Sequence, residues 1–155
     1  MKDFKGKTAV VTGAASGIGR AVCLALADRG ANLVLADIEA DALEASRAAV
    51  EVRGTEAIGV VTDVTAKASV EALADAAWDR FGAVHLVHNN AGVLIRAPML
   101  DADEKDWAWI LAVNLWGVIH GVQAFVPRML EDGAEGHIVN TASEAGHFAG
   151  DLYGV

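Results

Sequence analysis

Five short apolar runs punctuate the chain, and the longer stretches between them repeat their apolar residues at helical rather than alternating spacing. The runs at 8–11, 32–36, 57–61, 84–88 and 137–140 predict strands. The stretches near 17–29, 40–52, 66–81 and 103–130 predict helices. Gly30, Gly54, Gly82 and Gly133 stand after those four stretches, where a helix end favours a residue tolerant of positive φ. Strict strand–helix alternation implies a parallel sheet with right-handed crossovers and helices on both faces. The expected fold class is α/β, a doubly wound parallel sheet of five strands.

The break after the first run carries the strongest chemical signal. Thr12-Gly13-Ala14-Ala15-Ser16-Gly17-Ile18-Gly19 sits where a strand should end and a helix begin. Glycines at 13, 17 and 19 let the backbone turn tightly, approach a ligand and pack the helix on its strand. The N–H groups of the helix's first turn then favour an anion such as a pyrophosphate. This is a Rossmann-type arrangement, in which the ligand crevice lies beyond the carboxyl ends of the strands.

Further polar residues fall at the same sheet edge. Asp37 ends the second run, 24 positions after Gly13. A carboxylate there can accept from both hydroxyls of an adenosine ribose and would repel a 2′-phosphate. Neither Lys nor Arg stands at Ala14, Ala15, Ser16 or Ile38, and Arg20 falls inside the helix, so NAD is expected over NADP. The alternative is that Asp37 only caps the next helix. Asp63-Val64 ends the third run, with Thr65 the expected cap of the following helix. Asn89-Asn90-Ala91-Gly92 closes the fourth, where amides can bridge neighbouring strands and Ala-Gly keeps the wall low. Asn114 interrupts an apolar helix, a position that disfavours asparagine by about 0.5–0.7 kcal/mol against alanine. Gly117 and Gly121 would permit close packing one turn apart. Ser143 follows the fifth run.

Taken together these motifs resemble the classical short-chain dehydrogenase/reductase family over the length of the chain. The resemblance implies hydride transfer between a nicotinamide and a carbonyl or secondary alcohol. It implies that Gly13, Ser16, Gly17, Ile18, Gly19, Asp37, Ile38, Asp63, Val64, Asn90, Ala91 and Gly92 bind the cofactor. It also implies that Asp63 accepts from the adenine amino group, Ser143 steadies the substrate oxygen, and Asn114 holds a water in a proton relay. A dimer or tetramer is the family expectation. In the family a Tyr-x-x-x-Lys unit follows the serine by about thirteen residues, which falls one position beyond Val155. Tyr153 comes ten residues after Ser143, and no lysine follows Lys105. Tyr153 is therefore expected to be a loop residue rather than the acid–base. The chain is expected to be the N-terminal part of a longer protein, inactive and aggregation-prone by itself. Should Val155 be the true terminus, a non-catalytic dinucleotide-binding module is the alternative.

Composition narrows the picture further. At 155 residues, 54% of them hydrophobic and only two proline, the sequence suits one folded dinucleotide-binding domain over 1–155. A net charge of −9 argues against binding a phosphate backbone. The N-terminus lacks an apolar core of signal-peptide length, and no uninterrupted apolar run reaches about 18 residues, so a cytoplasmic location is expected without membrane partners. The single cysteine, Cys23, is expected in the core. Among the five histidines, His85 and His88 should face opposite sides of one strand, and His137 and His147 lack ligand-spaced partners, so no metal is expected. His147 could help shape a substrate pocket. Trp107, Trp109 and Trp116 are expected in the core or at oligomer contacts.

Overall fold

The computed structural model describes residues 1, 3–95 and 98–143. Among these, five strands form one parallel sheet: β1 (Thr8–Thr12), β2 (Asn32–Asp37), β3 (Ala57–Val61), β4 (Leu86–Asn89) and β5 (His137–Asn140), in the order β3-β2-β1-β4-β5. The helices are α1 (Gly17–Ala27), α2 (Ala40–Glu51), α3 (Lys67–Phe81), α4 (Glu104–Leu111) and α5 (Gly117–Asp132). Chain order reverses between β1 and β4. This is the Rossmann-like doubly wound fold, with its crevice expected at that switch point.

Central strands of such a sheet are covered on both faces, which explains why β1 reads as a continuous apolar run and is buried at all five positions. Its side chains alternate between two cores. Val11, Leu33 and Leu35 pack with Cys23, Leu26, Leu43 and Val50 of α1 and α2. Val10, Val34 and Val87 pack with Leu73 of α3 and Phe125 of α5. Register is set by pairs such as Val10↔Val34 and Val10↔Val87.

Several boundaries differ from the sequence expectation. β4 starts at Leu86, not at 84, because the His85 ring turns back to accept the Thr8 N–H at Nδ1. α1 and α2 stop three residues short of Gly30 and Gly54, whereas Gly82 and Gly133 are themselves the caps of α3 and α5. The helix expected over 103–130 is instead α4, a π-helical turn at Ala112–Trp116, and α5, preceded by a 3₁₀ turn at Met99–Asp101. Asp103 caps α4 in a reciprocal box with Asp106.

Length and average hydropathy single out one stretch that a count of consecutive apolar residues does not. The helical stretch Glu104–Asp132 is long and apolar enough to cross a membrane by length and composition alone. Asn114, His120, Gln123 and Arg128 interrupt its apolar run, which is why a search for consecutive residues passes over it. In the fold it buries Phe125 and Met129 and packs on α3 and β4.

Candidate functional site: a crevice at the carboxyl edge of the sheet

The glycine turn after β1 is built by steric necessity. Gly13 has φ +66°, and a Cβ there would lie 2.9 Å from the Ala91 Cα. A Cβ on Gly19 would collide with the Gly13 carbonyl oxygen and come within 2.6 Å of the Asn90 amide nitrogen. Small residues at both positions let α1 start directly against β1. Ser16 occupies the N-cap in an extended conformation (φ −149°), yet no side chain caps α1. Its first turn, with Ser16, Gly17 and Ile18 exposed, therefore presents main-chain N–H groups to the crevice.

Asp37 closes the turn from the β2 side. Its Oδ2 accepts from the Ala15 N–H at 2.9 Å and its Oδ1 from the Glu39 N–H at 3.1 Å. Glu39, not Asp37, holds the N-cap position of α2. Asp63 engages Thr65, the residue expected to cap α3. Its Oδ1 accepts from both the N–H and the hydroxyl of Thr65, at 2.9 and 2.7 Å, forming a local turn. Thr65 is thereby drawn off helix capping, and Ala66 stands at the N-cap of α3. An Asx turn outcompetes a threonine cap because it satisfies two donors with one carboxylate.

The Asn89-Asn90-Ala91-Gly92 segment bridges strands as its amides allow. Asn90 Nδ2 donates to the carbonyls of Thr12 (3.0 Å) and Gly13 (3.4 Å). Asn89 Nδ2 donates to Asn140 Oδ1 on β5 at 2.8 Å. Asn89 Oδ1 is buried without a hydrogen-bond partner among the described residues, and it faces the bare Cα of Gly121. A Cβ on Gly117 would lie 2.9 Å from Val64 Cγ2, so close packing accounts for both glycines of α5.

Asn114 sits in the π-helical turn, an irregularity common at functional sites. Its side chain clasps the main chain of Val93: Oδ1 accepts the Val93 N–H and Nδ2 donates to the Val93 carbonyl, both at 2.8 Å. The amide thus fixes the strand exit after β4. Ser143 is exposed at the end of β5.

These elements enclose an open cavity of about 1280 Å³. Of the residues singled out by sequence, Gly13, Ser16, Gly17, Ile18, Asp37, Ile38, Asp63, Val64, Asn90, Ala91, Gly92, Asn114 and Ser143 line it. Gly19 does not, since its part is to let α1 pack against Gly13. The lining carries the carboxylates Asp37, Glu39 and Asp63 and, among the described residues, no Lys, Arg or His. Positive potential for an anion therefore comes from the α1 N-terminus.

Other residues were not anticipated. Thr12 Oγ1 accepts the N–H groups of Asn90 and Ala91, both at 3.0 Å, and so locks β1 to β4. Its position before Gly13 was the available signal. Thr141 and Trp109 also line the cavity. Trp107, Trp109 and Trp116 are all exposed, which excludes the core and leaves the other expectation, contacts between copies, open. Cys23 is fully buried as expected, and burial pushes its thiol up to about 12. Among the described residues no cluster of His, Cys, Asp or Glu could hold a metal ion. His147 and Tyr153 lie outside the described residues.

The sequence matches the short chain dehydrogenase family model over residues 7–155. It is 41% identical over 145 residues to the 1-deoxy-11-beta-hydroxypentalenate dehydrogenase of Streptomyces avermitilis, covering 92% of this chain and 54% of that protein. It is 39% identical over 155 residues to the C alpha-dehydrogenase of Sphingobium sp., covering 99% of this chain and 51% of that protein. A short chain dehydrogenase/reductase from Burkholderia phymatum, solved in complex with NAD, superposes with a TM-score of 0.96. It is 48% identical, and the match covers 99% of this chain and 55% of that one. The chain spans about half the length of the relatives it matches. Matched by that family model over residues 7–155, the chain belongs to the short chain dehydrogenase family.

Proposed function

We propose that the protein carrying this chain is an NAD-dependent oxidoreductase acting between a secondary alcohol and the corresponding carbonyl. The observation that carries this reading is the Asp37 carboxylate bound to the Ala15 N–H beside the uncapped start of α1. A pyrophosphate fits the first turn of α1, where no side chain competes for the N–H groups. Asp37 then meets the adenosine ribose at the end of β2. A third negative group at the 2′ position would face Asp37 and Glu39 with no cation among the described lining residues, which favours NAD over NADP. Bound there, the nicotinamide supplies hydride acceptance or donation.

The chain's own residues supply position. Asp63 and Val64 line the adenine side. Asn90, Ala91 and Gly92 form a low wall between the two halves of the crevice. Ser143 donates its hydroxyl to the substrate oxygen as charge develops there. Asn114 braces Val93 and, through the π-helical turn, serves the water relay. We read the partners as small molecules and further copies of the same protein, in a dimer or tetramer, with neither nucleic acid nor membrane involved and a cytoplasmic site of action. The exposed Trp107, Leu111, Leu115 and Trp116 suit a contact between copies. Residues 1–155 contain no Tyr-x-x-x-Lys unit, so this piece alone binds the dinucleotide without turning it over.

The test is a panel of secondary alcohols with NAD or NADP on the full-length protein, following NADH absorbance. NAD should be preferred, and Ser143→Ala should lower kcat about 100-fold or more. Equal use of NADP, or an unimpaired Ser143→Ala variant, would overturn the reading.

A further inference from the structure

Under the floor of the crevice, a buried histidine is wired to the segment after β5 that carries Ser143. His88, on β4 and 8% exposed, brings Nε2 to 2.8 Å from Thr141 Oγ1. The Thr141 hydroxyl in turn reaches Asn90 Oδ1 at 3.5 Å.

The direction of this chain follows from its far end. Asn90 Nδ2 is committed to the carbonyls of Thr12 and Gly13, so the amide cannot be flipped. Its Oδ1, an acceptor only, therefore faces Thr141. The single hydroxyl proton of Thr141 goes to Asn90, and Oγ1 is left to accept from the imidazole. With Thr141 donating toward Asn90, the matching tautomer of His88 carries its proton on Nε2.

We propose that His88 is a positioning residue: through Thr141 it ties the end of β5 to Asn90 and the glycine turn, and so sets where Ser143 stands. Thr141 and Ser143 are two residues apart, both lining the cavity, so a displacement of the first moves the second. The importance of Ser143 rests on the reading given under Proposed function; the relay does not. Burial also holds His88 below the ordinary imidazole range, which keeps it neutral and available as a single-tautomer donor.

The test uses crystal structures of the full-length protein and calorimetry with NAD. In His88→Leu the donor is lost, and Ser143 Oγ should move by more than about 0.5 Å relative to the Asn90 amide, the tolerance of a working site. Thr141→Val should reproduce that shift, and it keeps the test open if His88→Leu does not fold. His88→Gln retains an N–H at comparable reach and should restore Ser143. The Kd for NAD should change less than twofold in Thr141→Val, because the relay serves the Ser143 side of the crevice. An unmoved Ser143 in Thr141→Val, a His88→Gln variant as displaced as His88→Leu, or a Kd for NAD weakened tenfold with Ser143 in place would each overturn the proposal. Failure of the wild type to bind NAD would instead remove the functional reading and leave the crystallographic comparison standing.

Discussion

Asp37 Oδ2 and the Ala15 N–H are joined at 2.9 Å, so the end of β2 and the glycine turn after β1 hold one another in place. A ribose hydroxyl donating to the charged Asp37 carboxylate would add a further bond, formed only with NAD bound, of about 1.5–3 kcal/mol. Asp37→Ala should therefore weaken NAD binding about 10–100-fold. It should also narrow the preference over NADP, since the carboxylate facing the 2′ position is gone. Calorimetry with both dinucleotides on the full-length variant measures the two effects together.

The two glycines of α1's first turn, Gly17 and Gly19, should respond differently to alanine. At Gly19 the new methyl meets the Gly13 carbonyl and the Asn90 amide, neither of which can withdraw, and overpacking of this kind costs about 1–3 kcal/mol. At Gly17 nothing lies within 4 Å, and the cost is only that of φ +50°, about 1–2 kcal/mol. Gly19→Ala should also weaken NAD binding, because the turn itself must shift. Urea melts and NAD titrations on both variants separate strain from collision.

Asn114 holds Val93 through a paired donor and acceptor. Asn114→Ala should release that segment and raise hydrogen exchange at the Val93 amide more than tenfold, with little change at Val10 in the sheet centre. Unchanged exchange at Val93 would mean that the clasp does not hold the strand exit.

His85 should show the acid sensitivity of the sheet. Its Nδ1 accepts the Thr8 N–H, which requires the unprotonated nitrogen. Burial and then Lys7 hold the ring below its ordinary range, against the opposing pull of Asp132 and Glu135. A lowered imidazole value means that the unfolded chain binds the proton more readily. Stability from this group is complete above the ordinary imidazole range, falls as pH drops from there toward the lower folded-state value, and is level below that. His85→Asn, whose Oδ1 can accept the same N–H, should lessen the fall in Tm between pH 7.5 and pH 5.5.

The central strands were legible because a parallel strand covered on both faces reads as an unbroken apolar run, as β1 and β2 do; the edge strands β3 and β5, though partly exposed, match their expected limits. The glycine turn and the edge residues were legible for a related reason: a doubly wound sheet gathers its strand ends at one edge. What escaped were choices made between neighbours in space. Thr65 looks like a helix cap until Asp63 is found to engage it. The π-helical turn at Ala112–Trp116 leaves no mark in an apolar helix except the misfit of Asn114. His88 reads as one more buried polar residue until Thr141, 53 positions on, is brought beside it.

The most direct measurement of the central claim is a calorimetric titration of NAD into the full-length protein, wild type beside Asp37→Ala. A saturable heat for the wild type, with affinity lost on removing the carboxylate, is the expected result. A wild type that takes up no NAD, or an Asp37→Ala variant that binds it equally well, would contradict the placement of a dinucleotide across this edge of the sheet.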